Sequence, residues 1–526
     1  MNADPVWTAA CAREVDELSI GTFGIRQTDL MERAGTAVAN IARSASRGKS
    51  FLVLAGSGNN GGDALIAARV LATDPAVRVV TIRVSKTAAD IPAEIPAEIP
   101  MAKLIAEPFH CIIDGVFGLG FRGPLDPSSP AALTLKAAAQ IKAKYNAVVV
   151  AVDLPSGLTS DDGGQTEALL GADETVTFGA LKAVHAVAPA RDLCGTVHCV
   201  DIGFSNDAVR SSLAGSPPVF GVVHGRDLLA DDPWSNLSPS AHKYDRGHVL
   251  VVGGSAGKTG APILSALAAL RSGAGWATLA MPGKIISQAV IPPDLTTEAL
   301  WSRGNRLSGL DPKKLERFLS ERKVRAVVIG PGTMENPLTV KSLGVLCDFS
   351  KAGFVVLDAA ALHGIVPLLR KSKKSFAEGR VILTPHPGEW RLLSNGNEEK
   401  RWPAPLDADG VLAVEHECAD LGIHVLYKHS TPILCGSAPF RIGEGTEARA
   451  LVFNEGSNAM GRAGTGDVLA GCIAAHGAIG CDAAMATMRA LAVVSSATQL
   501  AANLVGRHAV LPSDIISMLG KVDTSS

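Results

Sequence analysis

The residues of this chain best suited to chemistry lie just after short apolar runs. The run Phe51–Ala55 is followed by Gly56-Ser57-Gly58-Asn59-Asn60-Gly61-Gly62-Asp63. Glycines let backbone approach a ligand, and amides at a helix start, with the positive end of the dipole, favour a phosphate. The string fits GxGxxG, which alone is a weak sign. The acidic residue that a dinucleotide fold sets at the end of its second strand is missing, because Arg83-Val84-Ser85 stands there. Asn59 and Asn60 add carbonyl oxygens and amides to the loop itself. The competing reading is a glycine turn before a helix from Ala64 to Leu71. Asp114 ends a further run and opens Gly115 to Pro124, which carries Arg122; Asp153, followed by Ser156, ends a third. A strand-end carboxylate either caps a turn or serves as general acid/base or cation ligand. Three such turns at one end of one sheet favour the chemical role.

The second half repeats the pattern. Gly464-Thr465-Gly466-Asp467 opens an apolar stretch. Amides there can hold the charge that develops on a transferred phosphoryl group, and Asp467 is placed to take a proton from a hydroxyl. A helix cap is the plainer alternative. Gly253 to Thr259 invites a P-loop reading, but that motif needs glycine where Val252 stands, so the segment is expected to be a turn before a buried helix over Pro262–Ser272. Gly330-Pro331-Gly332 ends another run. His386 lies between Pro385 and Pro387, either facing a ligand or satisfied structurally, and Pro387 suits a first helical turn.

The elements that must position these residues are legible as strands over Phe51–Ala55, Val77–Val84, Cys111–Asp114, Ala147–Val152 and Glu174–Phe178, then His248–Val252, Ala277–Ala280, Ala326–Ile329, Phe354–Leu357, Val381–Leu383 and Val425–Leu426. They alternate with helix-length stretches, which implies an α/β fold with mainly parallel sheets and ligands at the strands' carboxyl ends. The chain has 526 residues, too many for one core at ~150 residues per domain. Ile91–Pro100 reads as an irregular loop. The stretch 205–240, rich in Ser, Pro, Gly and Asp, resembles a linker and sets a boundary near residue 225, giving domains over 1–220 and 225–522. A net charge of -2 offers nothing to nucleic-acid phosphates or a membrane surface. No secretory signal is expected, and Val468–Cys481 reads as a buried helix too short for a membrane span. The 9 cysteines form no CxxC pair and suggest reduced thiols in a cytoplasmic protein.

Motifs in a fixed order carry a resemblance. LMERAG at 30–35, GNNGGD at 58–63, DGVFGLGFRGPL at 114–125, AVDLPSGL at 151–158 and TVTFGALKAVH at 175–185 are similar to the NAD(P)H-hydrate epimerase domain. That resemblance implies a three-layer Rossmann-like fold that interconverts R and S hydrates of NADH and NADPH (NADHX and NADPHX). It also implies a potassium ion on Asn60, Asp114 and Ser156. Substrate contacts would come from Asn59, Asn60, Gly61, Gly62 and Asp63, from Gly118, Leu119, Gly120, Phe121, Arg122, Gly123 and Pro124, and from Asp153, the expected acid/base group. Ala64 stands where that family has glycine. HKYDRGHVLVVGGS at 242–255, GAPILSALAALRSGAG at 260–275, VVIGPG at 327–332, ILTPHPGEWRLL at 382–393 and AGTGDVLAG at 463–471 resemble the ribokinase-like superfamily and, within it, the NAD(P)H-hydrate dehydratases. There the resemblance implies that the hydroxyl of the S hydrate is phosphorylated by ADP or ATP, with magnesium, and that phosphate then leaves. Ala261, Gly332, His386 and Asp467 would meet the hydrate, with Asp467 catalytic. Gly466, Lys428, His429, Ser430 and Thr431 would meet the nucleotide.

Three positions depart from the dehydratase pattern. DADAL reads Asp358-Ala359-Ala360-Ala361-Leu362, so one carboxylate is absent. KGxxT reads Tyr427-Lys428-His429-Ser430-Thr431, so Lys428 comes one place late or Tyr427 takes its position. Arg462 replaces a smaller residue. They keep two rivals open for the second half, a small-molecule kinase and a nucleotide-binding scaffold with a decayed site. The choice of ADP or ATP and the oligomeric state, a homo-oligomer included, stay open.

Overall fold

The computed structural model describes residues 1–84, 105–165, 167, 169–215, 218–230, 232–301, 309–394, 402–443 and 446–522. The loop expected at Ile91–Pro100 lies outside them.

Two sheets organise the chain. The smaller has the order β3-β2-β4-β5-β6-β7, from β2 (Ser50–Ala55), β3 (Arg78–Arg83), β4 (Cys111–Gly115), β5 (Val148–Val152), β6 (Glu174–Phe178) and β7 (Thr196–Val200), and every pairing is parallel. Its inner strands are apolar on both faces because helices cover both. Those helices include α2 (Gln27–Ala45), α3 (Asn59–Ala72) and α4 (Pro130–Tyr145), while α1 (Ala9–Gly21) packs against the helix Asn206–Gly215. β2 has β3 on one side and β4 on the other, so the strand order reverses there. The crevice beyond such a reversal is the usual ligand position.

The larger sheet has the order β1-β8-β17-β16-β15-β14-β13-β12-β9-β10-β11. Its parallel centre is β9 (His248–Val252), β10 (Trp276–Ala280), β11 (Thr296–Glu298), β12 (Ala326–Ile329), β13 (Phe354–Leu357), β14 (Val381–Leu383) and β15 (His424–Tyr427). The flank that follows is β16 (Ile433–Arg441) and β17 (Glu447–Phe453), both paired antiparallel, then β8 (Phe220–Val223), parallel to β17, and the two-residue β1 (Asp4–Pro5), antiparallel to β8. The order reverses between β9 and β12. Helix α8 (Arg226 within Gly225–Leu229) is short and precedes β9; the helix over Gly260–Arg271, here α9, packs against the helix over Thr465–Ile479, here α10. The buried helix expected at Val468–Cys481 is α10, almost wholly enclosed.

Two expectations need correction. Residues 205–240 are not an open linker: a helix over Asn206–Gly215, β8 and α8 occupy them, and β8 is a full member of the larger sheet. The polar composition there reflects helix surface and turns. The helix expected from Ala64 begins at Asn59, so 59–63 are its first turn and not a free loop.

Candidate active sites

The first site sits at the carboxyl ends of β2, β4 and β5. A cavity of about 670 Å³ opens there, lined by Asn59, Asn60, Asp63, Gly118, Leu119, Gly120, Phe121, Arg122, Pro124 and Asp153. Gly61, Gly62 and Gly123 do not line it. A Cβ on Gly61 would stand 1.9 Å from the Gly56 carbonyl oxygen, so this glycine serves the close packing of two backbone segments.

Asn60, Asp114 and Ser156 meet at the cavity floor around one residue, Phe117. Asn60 Nδ2 donates to the carbonyls of Phe117 (3.2 Å) and Val152 (2.6 Å). Ser156 Oγ accepts from the Phe117 amide at 2.9 Å and donates to Asp114 Oδ1 at 2.6 Å, while the Ser156 amide donates to Asp114 Oδ2 at 2.9 Å. Asp114 is fully buried; burial raises its carboxyl against the pull of these bonds. No ion pair neutralises it among the described residues. Amide, hydroxyl and carboxylate oxygens with two carbonyls close by suit a hard monovalent cation.

Asp153 is held harder still. Its φ of +65° is a left-handed conformation unusual for a non-glycine residue. Thr177 Oγ1 and Lys182 Nζ each donate to its Oδ1 at 2.8 Å. Burial pushes this carboxyl up, but the Lys182 ammonium outweighs it, with help from His185 and Thr177, and Asp153 lies below its ordinary value. His185, on the single helical turn Ala183–Ala186, accepts from the Lys182 amide through Nδ1, so its Nε2 carries the hydrogen shared with the Asp153 carbonyl at 2.8 Å. Burial lowers this imidazole to about 4 and keeps it neutral. Asp63 has the opposite character. Burial, then Asp153 and Asp16, push its carboxyl up to about 8, and its Oδ1 is enclosed with no hydrogen-bond partner. Lys182 and His185 lie inside the motif at 175–185, but no spacing signals that Lys182 Nζ reaches a carboxylate 29 residues earlier.

The second site spans the reversal between β9 and β12. Gly254 donates its amide to the Pro331 carbonyl at 2.9 Å, and Ser255 Oγ donates to the Gly332 carbonyl at 2.7 Å, so the turns bearing Ala261 and Gly332 are tied together. Ser265 Oγ on α9 donates to the Asp467 carbonyl at 2.8 Å, which brings the first turn of α10 to the same place. Gly464 begins that turn with φ +98°, a conformation suited to glycine. The amides of Gly466 and Asp467 lie in the first helical turn, where no intrahelical carbonyl is available. The Thr465 hydroxyl is enclosed there without a partner among the described residues.

Lys428 enters from the end of β15. Its Nζ is 2.6 Å from Asp358 Oδ1, which also accepts from Thr384 Oγ1 at 2.7 Å. A Cβ on Gly466 would be 3.5 Å from that Nζ. The late position of Lys428 therefore does not keep it out of the site. Tyr427 instead turns inward against Trp390. Burial and Asp358 push the Asp467 carboxyl up to about 7 against the opposing pull of Lys428. His386 caps the short helix Pro387–Trp390, its Nδ1 accepting from Gly388 (2.9 Å) and Glu389 (3.3 Å), and its ring is half exposed. His429 and Ser430 lie beside Lys428, with a 3.2 Å contact between them. Thr431 departs from the expected cluster: it is fully buried and its hydroxyl accepts from the Ala188 amide at 3.0 Å. Ala360 is buried in the wall, and Arg462 is anchored on the His508 carbonyl.

Residues 27–184 match the family described as YjeF-related protein N-terminus, and residues 249–521 match NAD(P)H-hydrate dehydratase. A bifunctional NAD(P)H-hydrate repair enzyme of Pyrobaculum aerophilum is 32% identical over 95% of this chain and 94% of its own length. One from Moorella thermoacetica is 29% identical over 97% and 95%. Among solved structures, an ADP/ATP-dependent NAD(P)H-hydrate dehydratase of Bacillus subtilis, co-crystallised with ATP and Mg2+, is 22% identical, covers 57% of this chain and 96% of its own, and has a TM-score of 0.40.

Proposed function

The chain belongs to the bifunctional NAD(P)H-hydrate repair enzymes, and from that premise we propose how its two strand-end sites share the work. The cavity beside Asp153 takes the R and S hydrates of NADH and NADPH and interconverts them. Its volume of about 670 Å³ suits a nucleotide-sized ligand. Asp153 is the acid/base group, ionised by Lys182 and aimed by the Asp153–His185 bond. Potassium, where bound, rests on Asn60, Asp114 and Ser156 and supplies charge that the buried Asp114 otherwise lacks. The remaining predicted contacts, Gly61, Gly62 and Gly123, act through the shape of their turns.

The second site dehydrates the S hydrate with ADP or ATP. Ala261, Gly332 and His386 border the hydrate, and Gly466, Lys428, His429 and Ser430 border the nucleotide. Asp467 removes the proton from the hydrate's hydroxyl as its oxygen attacks the terminal phosphoryl group. Free helix-start amides and Lys428 hold the charge in transit. Phosphate then leaves with its oxygen, a neighbouring carbon gives up a proton, and the ring double bond returns. Phosphate is a much better leaving group than hydroxide, which gives the nucleotide its purpose. Magnesium would be carried on the nucleotide phosphates, whose hard oxygens it prefers.

The observation that carries this reading is Asp467, its carboxyl raised to about 7 beside amides at the start of α10. We place the division between the two units at 201–219, between β7 and β8, a few residues ahead of the expected boundary. The 9 cysteines, none of them in a CxxC pair, support a reducing, cytoplasmic setting. Incubation of S hydrate with ADP or ATP tests the proposal: reduced-nicotinamide absorbance should recover with release of phosphate. A stable phosphorylated hydrate would mark a kinase instead.

A further inference from the structure

Inverting a hydroxyl-bearing ring carbon beside a nitrogen needs two proton transfers, one to the departing oxygen and one from the incoming water. Asp153 is fitted for only one of them, because Lys182 and Thr177 hold its Oδ1 in the ionised, accepting form. The cavity has a second carboxyl, Asp63, on the first turns of α3. It is 6% exposed, no cation pairs with it among the described residues, and its Oδ1 is enclosed without a partner. We propose that Asp63 is the proton donor of the epimerisation and Asp153 the partner base, an assignment that rests on the epimerase reading of this cavity.

Charged neighbours come from every side. Asp16 and Arg13 approach from α1, Arg122 from the turn after β4, and Asp153, backed by Lys182, from the turn after β5. Burial and the two aspartates favour the neutral carboxyl, which stays protonated up to about pH 8. Two carboxyls driven apart in this way are a common acid/base arrangement. In the step, Asp63 gives its proton to the hydroxyl. The carbon–oxygen bond breaks, water departs, and the ring nitrogen's lone pair forms a carbon–nitrogen double bond. Water then adds to the opposite face and Asp153 takes its proton. The roles exchange in the reverse direction, and no oxidant or reductant is consumed.

The test follows R-to-S conversion chromatographically on the full-length protein across pH, with Asp63→Asn beside wild type. Wild type should lose kcat/KM above about pH 8, because the donor ionises. Asp63→Asn should lower kcat about 100-fold, abolish the alkaline limb and change KM less than about threefold. A wild-type profile flat to pH 9.5 overturns the assignment even if the variant misfolds, and so does a variant that keeps both rate and limb. If wild type itself does not interconvert the hydrates, it is the epimerase reading that fails.

Discussion

Both sites pair a lysine with aspartates at strand ends, but they spend the lysine differently. In the smaller sheet, Lys182 sits directly on Asp153, the proposed acid/base group, and lowers its carboxyl, while burial keeps Asp63 raised to about 8. In the larger sheet, Lys428 sits on a neighbour, Asp358, and Asp467, the proposed base, keeps a carboxyl raised to about 7. The first arrangement suits two proton transfers in one cavity. The second suits one proton withdrawn while a phosphoryl group, itself charged, arrives beside the lysine. Where the cation is placed decides which carboxyl is ionised and therefore which chemistry each site can perform.

The sharpest break in this comparison is Asp467→Asn. Dehydration should fall about 1,000-fold with epimerisation unchanged, measured by absorbance recovery and by R/S ratio. Lys182→Met should lower epimerisation about 100-fold, raise the acid limb of its pH profile and leave dehydration alone. Because a buried carboxylate then loses its partner, unfolding should become easier by about 3–5 kcal/mol, read by denaturant melts. The dehydration rate should rise with pH through about 7 as Asp467 becomes ionised. Asp358→Asn should move that limb down and Lys428→Met should move it up; an identical limb in both variants would assign it to another group. Potassium should raise the melting temperature of the wild-type protein by a few degrees more than sodium, and Asp114→Asn should remove the difference. Ala64→Gly, in the interior of α3, should cost about 1 kcal/mol and leave epimerisation within about threefold, by thermal melt and R/S assay.

Much of the frame was legible because a parallel strand buried on both faces reads as a continuous Val, Ile or Leu run ending in glycine or aspartate. Val148–Val152 before Asp153 and Phe354–Leu357 before Asp358 are such runs. The antiparallel flank was not legible. Gly436 and Pro439 interrupt the alternation of β16, and its register with β17 slips between Cys435 and Phe440. The two residues of β1 carry no local strand pattern, and they pair only because β8 lies alongside them. At the sites, residue types drew attention to the strand-end Asp153 and to Asp467, whereas the grouping of Asn60, Asp114 and Ser156 came from the family resemblance. The partners that set their charge did not show, because Lys182 and Asp358 act across the fold. The glycines of 56–62 suggested ligand approach, whereas Gly56 and Gly61 mainly admit neighbouring backbone. Thr431 fitted a nucleotide motif by position, but its hydroxyl faces Ala188 in a contact that only tertiary structure brings about.

The most direct test of the division of labour supplies R hydrate and ADP or ATP to wild type, Asp153→Asn and Asp467→Asn, and follows reduced-nicotinamide absorbance and the R/S ratio together. Wild type should convert R hydrate fully. Asp153→Asn should convert S hydrate quickly but R hydrate only at the uncatalysed epimerisation rate, and Asp467→Asn should equilibrate R and S with no recovery of absorbance. Recovery at the wild-type rate in Asp467→Asn, or rapid R conversion in Asp153→Asn, would contradict the account.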